Sequence, residues 1–395
     1  MDNLFGSASS IWLTKSACSL DAFRALVEQV PDRSLYPRCA AIENRVPIYE
    51  SRDVFASLES PSQLREIMGE WNAILHDGPG VVVFKRAFPD TTLIDEVTAI
   101  LQSIIDAEAA AKAGKGDHFG KPGANARVWN AHEKLCLANP EAFIRYNANP
   151  IVALISRAWL GPLYQITAQV NVVYPGGDAQ IPHRDYHMGF QSLGQLENYP
   201  ANAHRMSASL TLQGAIAHCD MPIDSGPTKL LPYSQAYLPG YLATTLEEFR
   251  DHFEANFVQL PLEKGDAVFF NPALFHAAGS NRTPNISRFA NLLQIGSGYG
   301  RSIEIVNRPR ISKAVFPVLS SMVKTSRLTA REIEDVIAAT AEGYPFPTNL
   351  DVDSPLSGLA PASQQDIMRT ALREGWDATR FCGAIDSYES VRRAA

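Results

Sequence analysis

No stretch of this chain approaches the roughly 18 consecutive apolar residues that a membrane-spanning helix requires, so a membrane protein of the helical kind is not expected. Cysteine is sparse. Cys18, Cys39, Cys136, Cys219 and Cys382 are odd in number, widely separated and free of any Cys-x-x-Cys pair, which excludes a disulfide framework and a zinc ribbon. There is no long Lys/Arg block, and the net charge of −7 argues against general affinity for nucleic acid. The N-terminal segment has no apolar run behind basic residues, and the chain ends in Arg-Arg-Ala-Ala rather than a Ser-Lys-Leu address. A cytoplasmic protein with small-molecule partners is the expectation. Internal repeats and low-complexity tracts are absent as well.

What remains is ample material for a core: 395 residues, 46% of them hydrophobic. Residues 1–58 show no clear period and read as an N-terminal extension. From residue 59 to 300 the expectation is one domain, opened by helices over 62–75 and 91–113 with the short strand GVVVF between them. On the second helix Glu108 and Lys112 make an i,i+4 pair. GKGDHFGKPGANARVWN (114–130) lacks periodicity and is expected to be a loop; its Gly-Lys precedes Pro, so it is no phosphate-binding P-loop. Then come strand-like runs broken by Gly, Pro, Asn and Asp: QITAQVNVVY, IPHRDY, MSASLTLQGAIA, TKLLP, FVQLPL, DAVFF and ISRFANLLQIG. The run 206–216 alternates apolar and polar residues, as in a strand with one wet face. Residues 301–395 return to helical patterns, with a Thr329/Glu332 capping box and a further helix between Ser363 and Gly375. These terminal helices are expected to pack on the core; covering it, closing over a site and forming a homodimer contact are all open to them.

Three His-x-Asp/Glu pairs occur where chance predicts roughly one. His252 and Glu254 lie in a helical pattern, where residues two apart diverge. His218 and Asp220 follow a strand-like run. His183 and Asp185, in IPHRDYHMGF, follow an extended stretch and a turn, which is how a ligand pair is presented at a sheet edge. With His276, in NPALFHAAGSN, they make two imidazoles and one carboxylate, able to occupy one face of an octahedral iron and leave three positions open. Four candidate strands separate Asp185 from His276 but three separate Asp220 from it, and a jelly roll makes neighbours of its early and late strands. Arg288 stands twelve residues after His276 on a strand where Ala290 shares its face and leaves room for a ligand. A guanidinium buried there needs a carboxylate partner, which an ordinary salt bridge or a diffusible dicarboxylate can supply.

The blocks PHRDYH, DSGPTKLLPYSQ (224–235), KGDAVFFNPALFHAAGSN (264–281) and Arg288 together resemble the phytanoyl-CoA dioxygenase-like (PhyH) family of Fe(II)/2-oxoglutarate-dependent oxygenases, over roughly residues 75–300. Where the family's Gly-Pro segment usually ends Pro-Gly-Ser-His, this chain has Pro232, Tyr233, Ser234 and Gln235. The resemblance implies a mainly β fold with α additions: a double-stranded β-helix (jelly roll, cupin-like) flanked by N- and C-terminal helices. It implies that His183, Asp185 and His276 bind Fe(II) and that Arg288 holds the distal carboxylate of 2-oxoglutarate. O2 would be the second cosubstrate, succinate and CO2 the coproducts, and hydroxylation of an unactivated C–H bond in a small metabolite or natural-product intermediate the default outcome. Desaturation, epoxidation and cyclisation are variants; halogenation is disfavoured because Asp185 is present. Gln169, Asn171 and Thr228 are candidate cosubstrate contacts. Arg127, Trp129, Tyr186, His187, Met188 and Phe190 are candidates for the prime substrate, with Lys115 and Lys121 as further cations for an anionic one. A non-catalytic jelly-roll binding protein and a cupin-type metal enzyme of other chemistry are the competing readings.

Overall fold

Apolar runs of the middle segment, with shorter runs before them, form ten strands in a computed structural model that describes residues 11–112, 124–355 and 358–393. They are β1 (Ala41–Glu43), β2 (Val46–Glu50), β3 (Val81–Lys85), β4 (Asn125–Val128) and β5 (Gln165–Val173), then β6 (Thr211–Ala217), β7 (Lys229–Leu231), β8 (Ala267–Phe270), β9 (Phe275–Ala277) and β10 (Arg288–Gly296). Eight of them form a mixed sheet in the order β1-β2-β3-β8-β6-β10-β5-β4, and β7 pairs with β9 in a second sheet. The architecture is of the cupin-like jelly-roll kind with flanking helices, but the large sheet stays open and does not close into a barrel.

By contact the chain divides into two units. Among the described residues, one takes those of Met1–Pro89, Gly114–Arg127 and Asn171–Leu293, the other those of Asp90–Ala113, Val128–Val170 and Gln294–Ala395. In the first, the VVVF run of β3 is buried on both faces, as a central strand must be. Its registers with β2 and β8, and that of β8 with β6, align Ile48, Val83, Val268 and Ala215 in one row across the sheet. Helix Pro61–His76 starts with proline in its first turn and buries Leu64, Ile67, Trp71, Ile74 and Leu75, one helical face. Trp71 meets Phe84 edge-on at 4.8 Å and Tyr49 at 5.9 Å. The second unit is largely helical. Thr329 and Glu332 close the expected capping box, and Gly375, at φ +67°, ends helix Gln364–Glu374. Among the described residues no helix is long and apolar enough to cross a membrane.

Several local expectations are corrected. Residues 206–216 are not one strand: Ala201–Ser209 is a helix and β6 begins at Thr211. Short Ala/Ser-rich runs satisfy both periods, so alternation there does not discriminate. Every residue of β6 is buried, Thr211 and Gln213 included, so it has no wet face. FVQLPL makes isolated bridges, Val258 to Leu230 and Leu262 to Met221, which leaves three strands rather than four between Asp185 and His276. The stretch taken as one loop over 114–130 contains β4, and the unpatterned segment before residue 58 contributes β1 and β2 to the large sheet. Lys112's side chain lies outside the described residues, and Glu108 pairs with Lys134.

One buried group makes the second unit sensitive to acid. His132 Nε2 lies 2.8 Å from the Ala339 carbonyl, which Arg308 also engages. Burial, with the Arg308 charge beside it, pulls the imidazole down to about 3. The unfolded chain, with an ordinary value of about 6.5, therefore binds a proton that the native chain refuses. The stabilisation is whole above pH 6.5 and is lost as pH falls towards 3. In urea unfolding at pH 7.5 and 5.5, this residue should cost about 1.4 kcal/mol at the lower pH. His132→Gln should flatten that slope; an unchanged slope would refute the assignment.

Candidate metal centre

His183 and His276 face each other across an isolated antiparallel bridge, each donating its backbone N–H to the other's carbonyl at 3.0 and 3.1 Å. Their rings come within 4.5 Å, centroid to centroid. Each imidazole is turned the same way, with Nδ1 at 2.8 Å from the carbonyl two residues earlier, Ile181 for His183 and Leu274 for His276. A carbonyl can only accept, so Nδ1 carries the proton in both rings and Nε2 presents its lone pair. Asp185 meets both nitrogens: Oδ1 is 3.6 Å from His183 Nε2 and Oδ2 is 3.4 Å from His276 Nε2. All three ligand atoms lie within 4.8 Å of one another, the one such His/Cys/Asp/Glu cluster among the described residues.

The charge state suits a cation. Burial works against an ionised Asp185, but the His276 and His183 rings beside it and the Gln213 amide outweigh it and hold the carboxyl well below the usual carboxylate range. Burial and the neighbouring His276 lower His183 and favour the neutral ring. Gln213, on β6, donates from Nε2 to Asp185 Oδ2 at 2.5 Å. Two imidazoles with Nε2 turned towards one point, plus an ionised and oriented carboxylate, are the donor set that a divalent iron takes in a facial arrangement, so the residues fit the metal.

Strand alternation sends Arg184 the opposite way from its two neighbours. Buried, it donates to the carbonyls of Ser234 and Tyr237 at 2.5 and 2.8 Å and lies over the rings of Tyr241 and Phe275. A Cβ on Gly240 would stand 1.9 Å from its Cζ, so only glycine fits there. Gln213 and Arg184 were both missed by sequence reasoning. An Arg flanked by two ligands was the available signal for the second; for Gln213 none existed before β6 was placed.

Beside the triad's strands lies a cavity with about 520 Å³ of empty space, part of it open to solvent. Val83, Val268 and Ala215 of the aligned row form part of its wall, and Arg288, Ala290 and Leu292 line it from β10. Thr228 and Asn171 also reach it. Arg288 is buried, which lowers its guanidinium to about 10, still protonated at neutral pH. Its protein contact is one long hydrogen bond to the Gly279 carbonyl, at 3.5 Å, and among the described residues it has no carboxylate partner. Among the described residues the buried Oδ1 of Asn171 has no hydrogen-bond partner.

The other candidates fall in different places. Gln169 belongs to the second unit, where its amide bonds Gln294 at 3.2 Å, and Trp129 belongs to that unit as well. Met188 packs in a core cluster with Leu13, Leu196 and Tyr241. Tyr186 is buried, His187 half-buried and Phe190 exposed. Arg127 lines a second cavity that Asn171 also borders. Lys115 and Lys121 lie outside the described residues. The competing His-acid pairs have structural partners: His218 stacks on Phe289, Asp220 accepts from the Lys264 N–H, and Glu254 pairs with Lys229 while His252 meets Phe23 edge-on.

The model of the phytanoyl-CoA dioxygenase (PhyH) family matches residues 77–290, more than half of the chain. Among solved structures, the chain is similar to SnoN, the non-heme alpha ketoglutarate dependent epimerase from nogalamycin biosynthesis, at 17% identity and TM-score 0.40 over 60% of this chain and 82% of that one. A complex of SnoN with Fe3+, alpha ketoglutarate and nogalamycin RO aligns at the same identity and TM-score over 60% and 85%. The carbocyclase SnoK of the same biosynthesis aligns at 19% identity and TM-score 0.40 over 62% and 86%. No curated protein matches by sequence.

Gln213→Leu removes the amide that orients Asp185 while keeping the side chain's bulk. Anaerobic Fe(II) titration should show the variant binding about 10- to 100-fold more weakly than the native chain, the usual cost of losing such a partner. Equal affinity would show that Asp185 is held without it.

Proposed function

The chain belongs to the phytanoyl-CoA dioxygenase family, and on that premise we propose that it hydroxylates an unactivated C–H bond of a small molecule, with His183, Asp185 and His276 as iron ligands and Arg288 as the anchor of 2-oxoglutarate. It is an Fe(II)/2-oxoglutarate-dependent enzyme with O2 as the oxidant. The observation that carries the residue assignments is Arg288: a protonated guanidinium in a largely apolar cavity, with no carboxylate among the described residues, calls for an anion from outside. A dicarboxylate supplies it, and bidentate pairing with the guanidinium fixes its orientation.

Bound there, iron and 2-oxoglutarate supply the activation of O2, with the overall balance R–H + 2-oxoglutarate + O2 → R–OH + succinate + CO2. The chain's own groups do the positioning. The Nδ1–H bonds to Ile181 and Leu274 hold both imidazoles with Nε2 forward, and Gln213 holds Asp185 between them. Thr228 and Asn171 offer further donors where Arg288 receives the distal carboxylate. The apolar walls, among them Met221, Leu230, Leu260 and Leu262, exclude water and strengthen that ion pair. Desaturation and cyclisation use the same site with a different substrate placement. A scaffold kept for binding alone has no need of the ligand set and Arg288 together.

Adding Fe(II) and 2-oxoglutarate without oxygen should produce the visible charge-transfer band of the chelate. His276→Ala should abolish it, and Arg288→Gln should raise the 2-oxoglutarate concentration needed by about tenfold or more. No band in the native chain, or an equal band in His276→Ala, would sink the proposal.

A further inference from the structure

The bridge that carries the two imidazoles is short. Beyond the paired N–H groups of His183 and His276, the described residues of the two segments share two further backbone hydrogen bonds, from Gln180 N to the Ala278 carbonyl and from Asp185 N to the Pro272 carbonyl, both at 3.0 Å. So little pairing leaves the segments able to twist against each other. Arg184 follows His183 and Phe275 precedes His276, so alternation sends both side chains to the face turned from the metal, where the guanidinium carbon stands 5.3 Å from the Phe275 ring centre. Both converge on Ser234: Arg184 Nη2 donates to its carbonyl at 2.5 Å, and the Phe275 N–H donates to its Oγ at 2.7 Å. A second hydrogen bond from Nη2, at 2.8 Å, takes the Tyr237 carbonyl. Tyr237 is fixed in turn, because its hydroxyl accepts the Ser19 N–H at 2.7 Å and donates to the Ser19 carbonyl at 3.1 Å, while its ring meets Phe23 edge-on at 5.2 Å. The two ligand segments are thus joined twice, directly by the bridge and indirectly through Ser234.

The second link carries an energetic penalty. An arginine stays protonated at neutral pH, and this one is buried with two carbonyls and two aromatic faces as partners and, among the described residues, no carboxylate. A charge buried without a counter-ion opposes folding. Space is kept for it as well: a Cβ on Gly240 would fall 1.9 Å from the guanidinium carbon and 2.0 Å from Nη2, although Gly240 opens helix Gly240–Ala243 with a backbone that other residues adopt freely. Stability alone accounts for neither feature. Holding a ligand pair does, because a metal binds more tightly when its ligands are already in place, and the groups that fix them lie beyond the ligands themselves.

We infer that Arg184 is a positioning residue of the metal centre: by tying the His183–Asp185 segment through Ser234 to the strand of His276, it sets how closely the three ligands match a bound ion. This rests on the iron reading of the triad, and the native chain separates the two failures. If the native chain takes up no Fe(II) in anaerobic titration, the iron reading falls and the inference with it. Two variants test Arg184 itself. Arg184→Met keeps the bulk and removes both hydrogen bonds, whereas Gly240→Ala keeps the arginine and displaces it. At a temperature where its circular dichroism matches that of the native chain, each should bind Fe(II) about tenfold or more weakly. Each should also shift the charge-transfer band formed with 2-oxoglutarate, which reports the geometry around the metal. Native-like Fe(II) affinity in either folded variant, with only the urea stability of its metal-free form lowered, would make Arg184 a structural brace and overturn the inference. Should neither variant fold, the native chain decides the matter. Binding and positioning are linked, so Fe(II) should slow amide exchange across residues 231–241 and Phe275–Ala277. Unchanged exchange in both segments would overturn the inference as well.

Discussion

Everything at the centre depends on two backbone hydrogen bonds, those that His183 and His276 exchange across positions far apart in the chain. They set the distance between the two rings before any side chain is chosen. Because Asp185 follows His183 by two residues, alternation returns it to the same side, where its two oxygens meet one Nε2 each. The carbonyls of Ile181 and Leu274, again two residues back, then fix the tautomers. Three constraints of period two converge on one point, and none of them requires a long or flexible side chain.

The same period puts Arg184 on the far side, and there it serves the backbone. Its guanidinium gathers the carbonyls of Ser234 and Tyr237, while Ser234 Oγ accepts the Phe275 N–H beside His276. The loop that departs from the family's Pro-Gly-Ser-His pattern is therefore bound to both ligand strands. Tyr233 holds φ +70°, a left-handed conformation that glycine adopts without cost, and the Gln235 amide donates to the Gly78 carbonyl at 2.8 Å. Directly after Asp185, Tyr186 and His187 also have positive φ, at +65° and +42°. Such strain persists only where the surroundings over-determine it, and here Gly189 packs so closely on the Arg184 carbonyl that a Cβ would stand 2.1 Å from the oxygen.

Arg288 and Asn171, at the cavity walls, are incompletely satisfied among the described residues. Most buried polar atoms are satisfied inside a protein, so a protonated Arg288 with one long contact and an Asn171 Oδ1 with none are exceptions that need a cause. Their difference in sign is informative. Arg288 needs an acceptor and Asn171 needs a donor, and no one small dicarboxylate meets both demands.

Local pattern carried a good deal. The continuous apolar run of β3, the helical period over 91–113 and the Thr329/Glu332 and Ser363 caps are properties of neighbouring residues, and they were legible because short-range periodicity determines them. So was the alternation that puts Arg288, Ala290 and Leu292 on one cavity wall. Elsewhere local signals were ambiguous or silent: Ala201–Ser209 satisfied two periods at once, β1 and β4 are too short to show one, and proline interrupts the apolar run of β2. By itself the sequence determined the kinds of ligand, two imidazoles and a carboxylate, and the chemistry they suit. Only the tertiary structure decided that these three residues meet, that Gln213 steadies Asp185, and that Asn171 borders two cavities. Each of those facts is a pairing between strands distant in the chain, and the energy that selects such a pairing comes from the shared core, which no local window contains.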